Sequence, residues 1–253
     1  MKNQYVGDIG DYGKYALLRA LSCQYSIGIN WYLTPDDGKP DGRFTDYLLK
    51  DNDTLDKELF KMMKALLFPD GKTLNNENRK VSAIENGGFL PKTMFFNEVI
   101  DFSNVIDRET HRNSWVSRSQ ESLGTPDIVF LDPDNGLEVQ SVSPTSIHGN
   151  KYVTYEEAKK YYNRAKVALI IYNHRDRSPD VKYNQRFTRF YKYEETQESF
   201  VYRLTFRKSS VRDYVFITKP EYFREVHDFI LSFVCPVRAE YFSVGNLPMP
   251  IDK

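Results

Sequence analysis

Asp127-Ile-Val-Phe-Leu-Asp-Pro-Asp-Asn-Gly136 is the stretch that decides the fold. Residues 128–131 form an unbroken apolar run, too short for a helix and suited to a strand covered on both faces. Asp132-Pro133 stops it, because proline lacks the amide that a central ladder requires. Asp134, Asn135 and Gly136 then supply turn residues that tolerate positive φ. A carboxylate, a proline and two further polar side chains therefore gather at the carboxyl end of a buried strand. In open α/β sheets that end is where ligands bind. The plainer alternative is that Asp132 only caps the turn that follows.

Downstream, Thr154 and Glu157 have the spacing of a capping box, each satisfying the other's end of a helix start. Residues 167–172 form a second apolar run, ending on Asn173-His174-Arg175. Strand, helix, strand at these lengths is a βαβ unit, expected parallel and right-handed. It brings Asp132, Asn135 and His174 to one edge of the sheet. The expected fold class is α/β, a Rossmann-like, mostly parallel sheet with helices on both faces.

The rest of the chain fits one large domain over residues 1–244 and a loosely packed tail at 245–253. Formal net charge is zero across 253 residues, so no global field points to a polyanion or a membrane. No apolar run approaches the ~20 residues that span a bilayer. The first residues lack a signal-peptide core. Cys23 and Cys235 are isolated, with neither disulfide nor zinc spacing. These features lead to the expectation of a reduced, cytoplasmic protein with no membrane partner.

Gly7, Gly10 and Gly13 precede or enter an amphipathic helix for which Asp11 is the expected N-cap. Glycines there let backbone amides approach a ligand, and Lys14 adds a positive charge. Tyr15, Leu18 and Leu21 line one face. Residues 27–33 are expected as a strand running into an acidic turn, 34–43, that begins at Thr34. A helix at 55–68 follows, then a polar loop at about 69–90 and a strand at 93–99. Glu98, near the end of that strand, is the candidate for ribose hydroxyls. Residues 107–123 are expected as a helix anchored by Trp115. Residues 175–212 interleave basic and aromatic side chains and are expected as a basic aromatic hairpin. Such interleaving suits single-stranded RNA or DNA, with charge for phosphates and rings for bases. The alternative is a hairpin with a solvated basic face. Strands at 200–206, 213–218 and 239–244, with a helix at 221–234, close the chain.

Gly7-Asp8-x-x-Asp11-x-x-Lys14-Tyr15 resembles the opening motif of the bacterial adenine-N6 methyltransferases of large-subunit ribosomal RNA. Their pattern is Gly-Asn-x-x-Asp-x-x-Lys-His, so Asp8 and Tyr15 are departures. The resemblance implies a methyltransferase-type sheet with an antiparallel C-terminal edge, and S-adenosylmethionine as cofactor. It places Gly7, Asp11, Lys14 and Tyr15 on a helix that helps enclose the cofactor, with the Thr34 turn against its methionine part. In that family an Asp (or Asn)-Pro-Pro-aromatic loop accepts hydrogen bonds from the target amine. Asp132 and Pro133 match its start, while Asp134 and Asn135 replace the second proline and the aromatic. The catalytic candidates are Asp132, Pro133, Asn135 and His174, and the expected acceptor is a nucleic acid or nucleotide.

Two other classes fit the same residues. Asp8, Asp11, Asp132 and Asp134, with His174, are hard-ligand groups suited to Mg²⁺ or Mn²⁺ in a metal-dependent nuclease or phosphodiesterase. A non-catalytic module that only binds a nucleotide is the third.

Overall fold

A computed structural model describes residues 1–50 and 55–245. Its strands are β1 (Ile27–Asn30), β2 (Thr93–Phe96), β3 (Ile128–Leu131), the short β4 (Gly136–Leu137) and β5 (Tyr152–Val153), β6 (Ala168–His174), β7 (Phe200–Phe206), β8 (Arg212–Thr218) and β9 (Phe242–Gly245). Seven of them form one sheet in the order β2-β1-β3-β6-β8-β7-β9. β2, β1, β3 and β6 are parallel neighbours, and every pairing beyond β6 is antiparallel. This is a Rossmann-like α/β sheet with the expected antiparallel C-terminal edge. β4 and β5 pair separately, in parallel.

The helices are α1 (Ile9–Ser22), α2 (Lys57–Leu67), α3 (Val81–Asn86), α4 (Arg108–Leu123), α5 (Tyr155–Arg164), α6 (Asp180–Thr188) and α7 (Phe223–Phe233). Two cores lie on opposite faces of the sheet, because successive strand residues point to opposite sides. Ile128 and Phe130 belong to the core shared with α1, α2, α3 and α7. Val129 and Leu131 belong to the one shared with α4, α5 and α6, where Trp115 is fully buried. The capping box at Thr154 and Glu157 is present at the start of α5. The β3–α5–β6 unit therefore stands as the residues indicated.

Several elements differ from expectation for local reasons. The N-cap of α1 is Asp8, whose Oδ1 accepts from the Gly10 amide at 2.9 Å. Asp11 lies one turn inside, so its carboxylate is released for another partner. β1 ends at Asn30, since Asn30 Oδ1 accepts the Tyr32 amide and Tyr32 has φ 44°. The polar stretch at 69–90 contains α3, and Arg79 ties it to the carbonyls of Val6 and Gly42. Residues 175–212 are not one hairpin. Tyr183, Phe187 and Phe190 have helical spacing and are buried, so α6 and a 3-10 turn (Arg189–Lys192) precede β7. The hairpin is β7–β8. Gly245 ends β9, and the expected tail beyond it lies outside the described residues. Among the described residues no helix is long and apolar enough to cross a membrane.

Candidate functional site

A cavity of about 570 Å³ opens over the carboxyl ends of β3 and β6, between α1 and the start of β8. The ladder ends on Asp132 and His174 there because Pro133 and the turn residues after it cannot continue β3. Asp132, Pro133, Asp134, Asn135 and His174 all line the cavity, joined from α1 by Asp11 and Lys14.

Lys14 sits at the centre, 1% exposed. Its Nζ lies 2.5 Å from Asp132 Oδ2 and 2.9 Å from Asp11 Oδ1. The rings of Tyr15, Trp31 and Tyr172 surround it with centroids 5.3–5.7 Å away, close enough for cation–π attraction. Burial lowers the Lys14 pKa, but Asp11 and Asp132 outweigh burial and the net shift is upward. Burial raises the pKa of both carboxyls, against the opposing pull of Lys14. Asp132 is itself 1% exposed, and its Oδ1 accepts no hydrogen bond among the described residues.

Each remaining carboxylate has a different partner. Asp134 Oδ1 is 2.7 Å from the Met1 amine, which also donates to the Asp132 carbonyl at 2.9 Å. Burial pushes the Asp134 pKa up, but the amine prevails and the net shift is downward. The Thr34 hydroxyl donates toward Asp134 Oδ2 at 3.2 Å. Asp8 Oδ1 accepts from Arg212 Nη2 at 3.2 Å, and its Oδ2 from the Phe44 amide at 3.2 Å. Four aspartates suited to hard cations are thus each engaged with a cationic side chain or amine. Among the described residues no three His, Cys, Asp or Glu side chains converge as a metal-binding group.

His174 lies 3.4 Å from the Tyr172 hydroxyl through Nε2. Burial, then the charge of Arg212, pushes its pKa down to about 4, so the ring is neutral at physiological pH. The backbone carbonyl of Asn135 accepts the His174 amide at 3.3 Å, fastening the loop after β3 to the end of β6. Gly136 makes that fastening close. Its φ is +108°, and a Cβ there would lie 2.0 Å from Asn173 Oδ1.

Other candidates lie elsewhere or serve packing. Gly7 has φ +93° and meets Leu67 of α2, where a Cβ would stand 2.1 Å from Cδ1. Tyr15 is fully buried and its hydroxyl donates to Asp11 Oδ2 at 3.3 Å. Glu98 is exposed, pairs with Arg118, and does not line the cavity. Its strand, β2, is the sheet's outer edge, two strands from β3. Within 175–212, Arg175 pairs with Asp180 and Arg186 with Asp176, while the rings of Tyr183, Phe187 and Phe190 are buried.

Sequence reasoning missed Asp41, Phe44, Tyr172 and Arg212, which line the cavity together with Tyr5. Tyr172 was legible, being two residues before His174 on the same strand face. Arg212 was not, because only the β6–β8 register sets it opposite His174. Comparison with protein-family models, curated proteins and solved structures finds no match for this chain.

Proposed function

We propose that this chain is an S-adenosylmethionine-dependent methyltransferase-like protein acting on an amino group of a nucleotide or nucleic-acid acceptor. The observation that carries the reading is Asp132, buried at the end of β3 with one oxygen held by Lys14 and the other free to accept. An acceptor amine donating to Oδ1 would be oriented with its lone pair directed away from the carboxylate. Pro133 restricts the backbone beside that oxygen. Neutral His174, on the neighbouring strand, supplies a hydrogen-bonding group beside the acceptor, while burial and Arg212 disfavour its protonated form.

The cavity volume falls within the range of small-molecule sites, and its position is the usual one for open α/β sheets. S-adenosylmethionine would supply a methyl group on a positively charged sulfur. Asp11 and the carboxylate end of the Asp132 loop are the residues that would face that charge. The motif likeness at residues 7–15 and the antiparallel edge of the sheet support the same reading.

Calorimetric titration with S-adenosylhomocysteine tests it. Binding at micromolar or weaker affinity is expected, weakened by Lys14→Ala. Asp132→Asn keeps the shape of the side chain, so it should retain cofactor binding and lose methyl transfer. Absence of any heat or thermal shift at millimolar ligand would remove the methyltransferase reading.

A further inference from the structure

A second cavity, of about 480 Å³, shares a wall with the site above. Pro40, Asp41, Gly42 and Phe44 line the cavity over β3 and β6, whereas Arg43 and Thr45 of the same segment line the second one. Three cations line it, Arg43, Lys72 and Arg79, against one carboxylate, Asp46. None of the three makes an ion pair among the described residues. Asp70 and Glu77, carried by the same stretch as Lys72 and Arg79, do not line the cavity. Asp70 Oδ1 is taken up by the amides of Lys72 and Thr73, at 2.9 and 2.7 Å.

Arg79 anchors this site. It is 8% exposed, and neutral groups hold its guanidinium: Nε donates to the Val6 carbonyl at 2.8 Å and Nη2 to the Gly42 carbonyl. Burial pushes the Arg79 pKa down. Asp11, Asp8 and Asp36 pull it up from beyond ion-pair reach, Arg43 adds to the lowering, and the net shift is downward. A guanidinium stays charged all the same, so two of them repel each other around one cavity, a strain that an anion relieves. Thr45 supplies an independent sign. It is 3% exposed and stands before a 3-10 turn (Asp46–Leu49) that its side chain does not cap. Its hydroxyl has no hydrogen-bond partner among the described residues, yet the residue lines the cavity. Leu49, Phe68 and Leu74 form an apolar wall, able to cover an organic group beside a charge.

We propose that this second cavity binds a phosphate group, held by Arg43, Lys72, Arg79 and the Thr45 hydroxyl, and that the phosphate belongs to a nucleotide unit of the acceptor. The acceptor role rests on the methyl-transfer reading, whereas the phosphate site follows from its lining groups whatever the reaction. The shared wall at 40–45 sets the phosphate beside the cavity in which Asp132 would orient an amine.

The test uses the full chain, calorimetry and thermal shift, with adenosine, adenosine 5′-monophosphate and a single-stranded deoxythymidine dodecamer as probes. At ~50 mM salt, where phosphate contacts are strongest, at least one phosphate-bearing probe is expected to bind about tenfold or more tightly than adenosine. Preference for the monophosphate identifies a terminal phosphate as the ligand, and preference for the dodecamer a backbone phosphate. Arg43→Gln and Lys72→Gln alter exposed side chains, so the fold should survive. Each is expected to weaken the phosphate-bearing probe about tenfold and to leave adenosine unchanged. Adenosine binding as tightly as both phosphate-bearing probes, binding of those probes unaffected by either substitution, or no binding of them at millimolar concentration overturns the proposal. Titration with S-adenosylhomocysteine separates the two readings. Phosphate-dependent binding without it keeps the phosphate site and removes the acceptor role, and the converse keeps the methyl donor and removes this site.

Discussion

Lys14 is the residue on which the electrostatics of the site turn. One ammonium between two buried carboxylates makes a strongly coupled cluster, and removing it leaves both carboxylates unpaired. Lys14→Met, of similar length and apolar, should destabilise the fold by about 3–5 kcal/mol at neutral pH, the scale of a broken buried pair. The effect has a pH signature. Asp11 and Asp132 have folded-state pKa values raised above the unfolded ones. Stability from such groups is present below the unfolded pKa and is lost as pH rises through the folded one. Without Lys14 that loss is larger, so the gap between wild type and variant should widen from acid toward neutral pH. Urea unfolding at several pH values checks this, and a gap independent of pH would mean that packing, not charge, is what Lys14 contributes.

α1 delivers Lys14 because it can lie directly on the sheet. A Cβ at Gly13 would stand 2.4 Å from the Phe206 ring, which is itself buried against Tyr241 and Phe242. Gly13→Ala should therefore lift the helix, costing about 1–3 kcal/mol as over-packing does. It should also weaken ligand binding, since Asp11 and Lys14 move with it. Gly10→Ala meets only the flexible end of Arg212 and should be the milder change, a contrast that thermal unfolding of the two variants measures. Legibility in the sequence followed the range of the forces involved. The β3–α5–β6 unit was readable because its apolar runs, its proline and its capping box are local signals. The α1 cap was misplaced because Asp8 and Asp11 are equally competent caps, and only the reach of Asp11 toward Lys14 assigns them. Residues 183–190 read as part of a hairpin although their apolar spacing is helical. Glu98 was read within a strand at 93–99, but β2 ends at Phe96, and strand order, which no local pattern encodes, puts that end at the far edge.

Across the whole molecule the sheet runs from β2 at one edge to β9 at the other, with β3, β6 and β8 covered on both sides. Amide hydrogen exchange should be slowest in those three strands and fastest in β2 and β9, where one side of each ladder is open. Uniform protection from edge to edge would contradict this layering. The sheet's order also separates in sequence what it joins in space: Asp8 and Arg212 meet across 204 residues. At a ribosomal pace of ~5–20 residues per second, roughly 10–40 s pass between synthesis of the two. Through that interval Tyr12 already has Tyr47 and Phe60 to pack against and Arg19 has Asp56 and Glu58, while Asp8 still lacks Arg212. The carboxylate that caps α1 is therefore made long before the guanidinium that answers it.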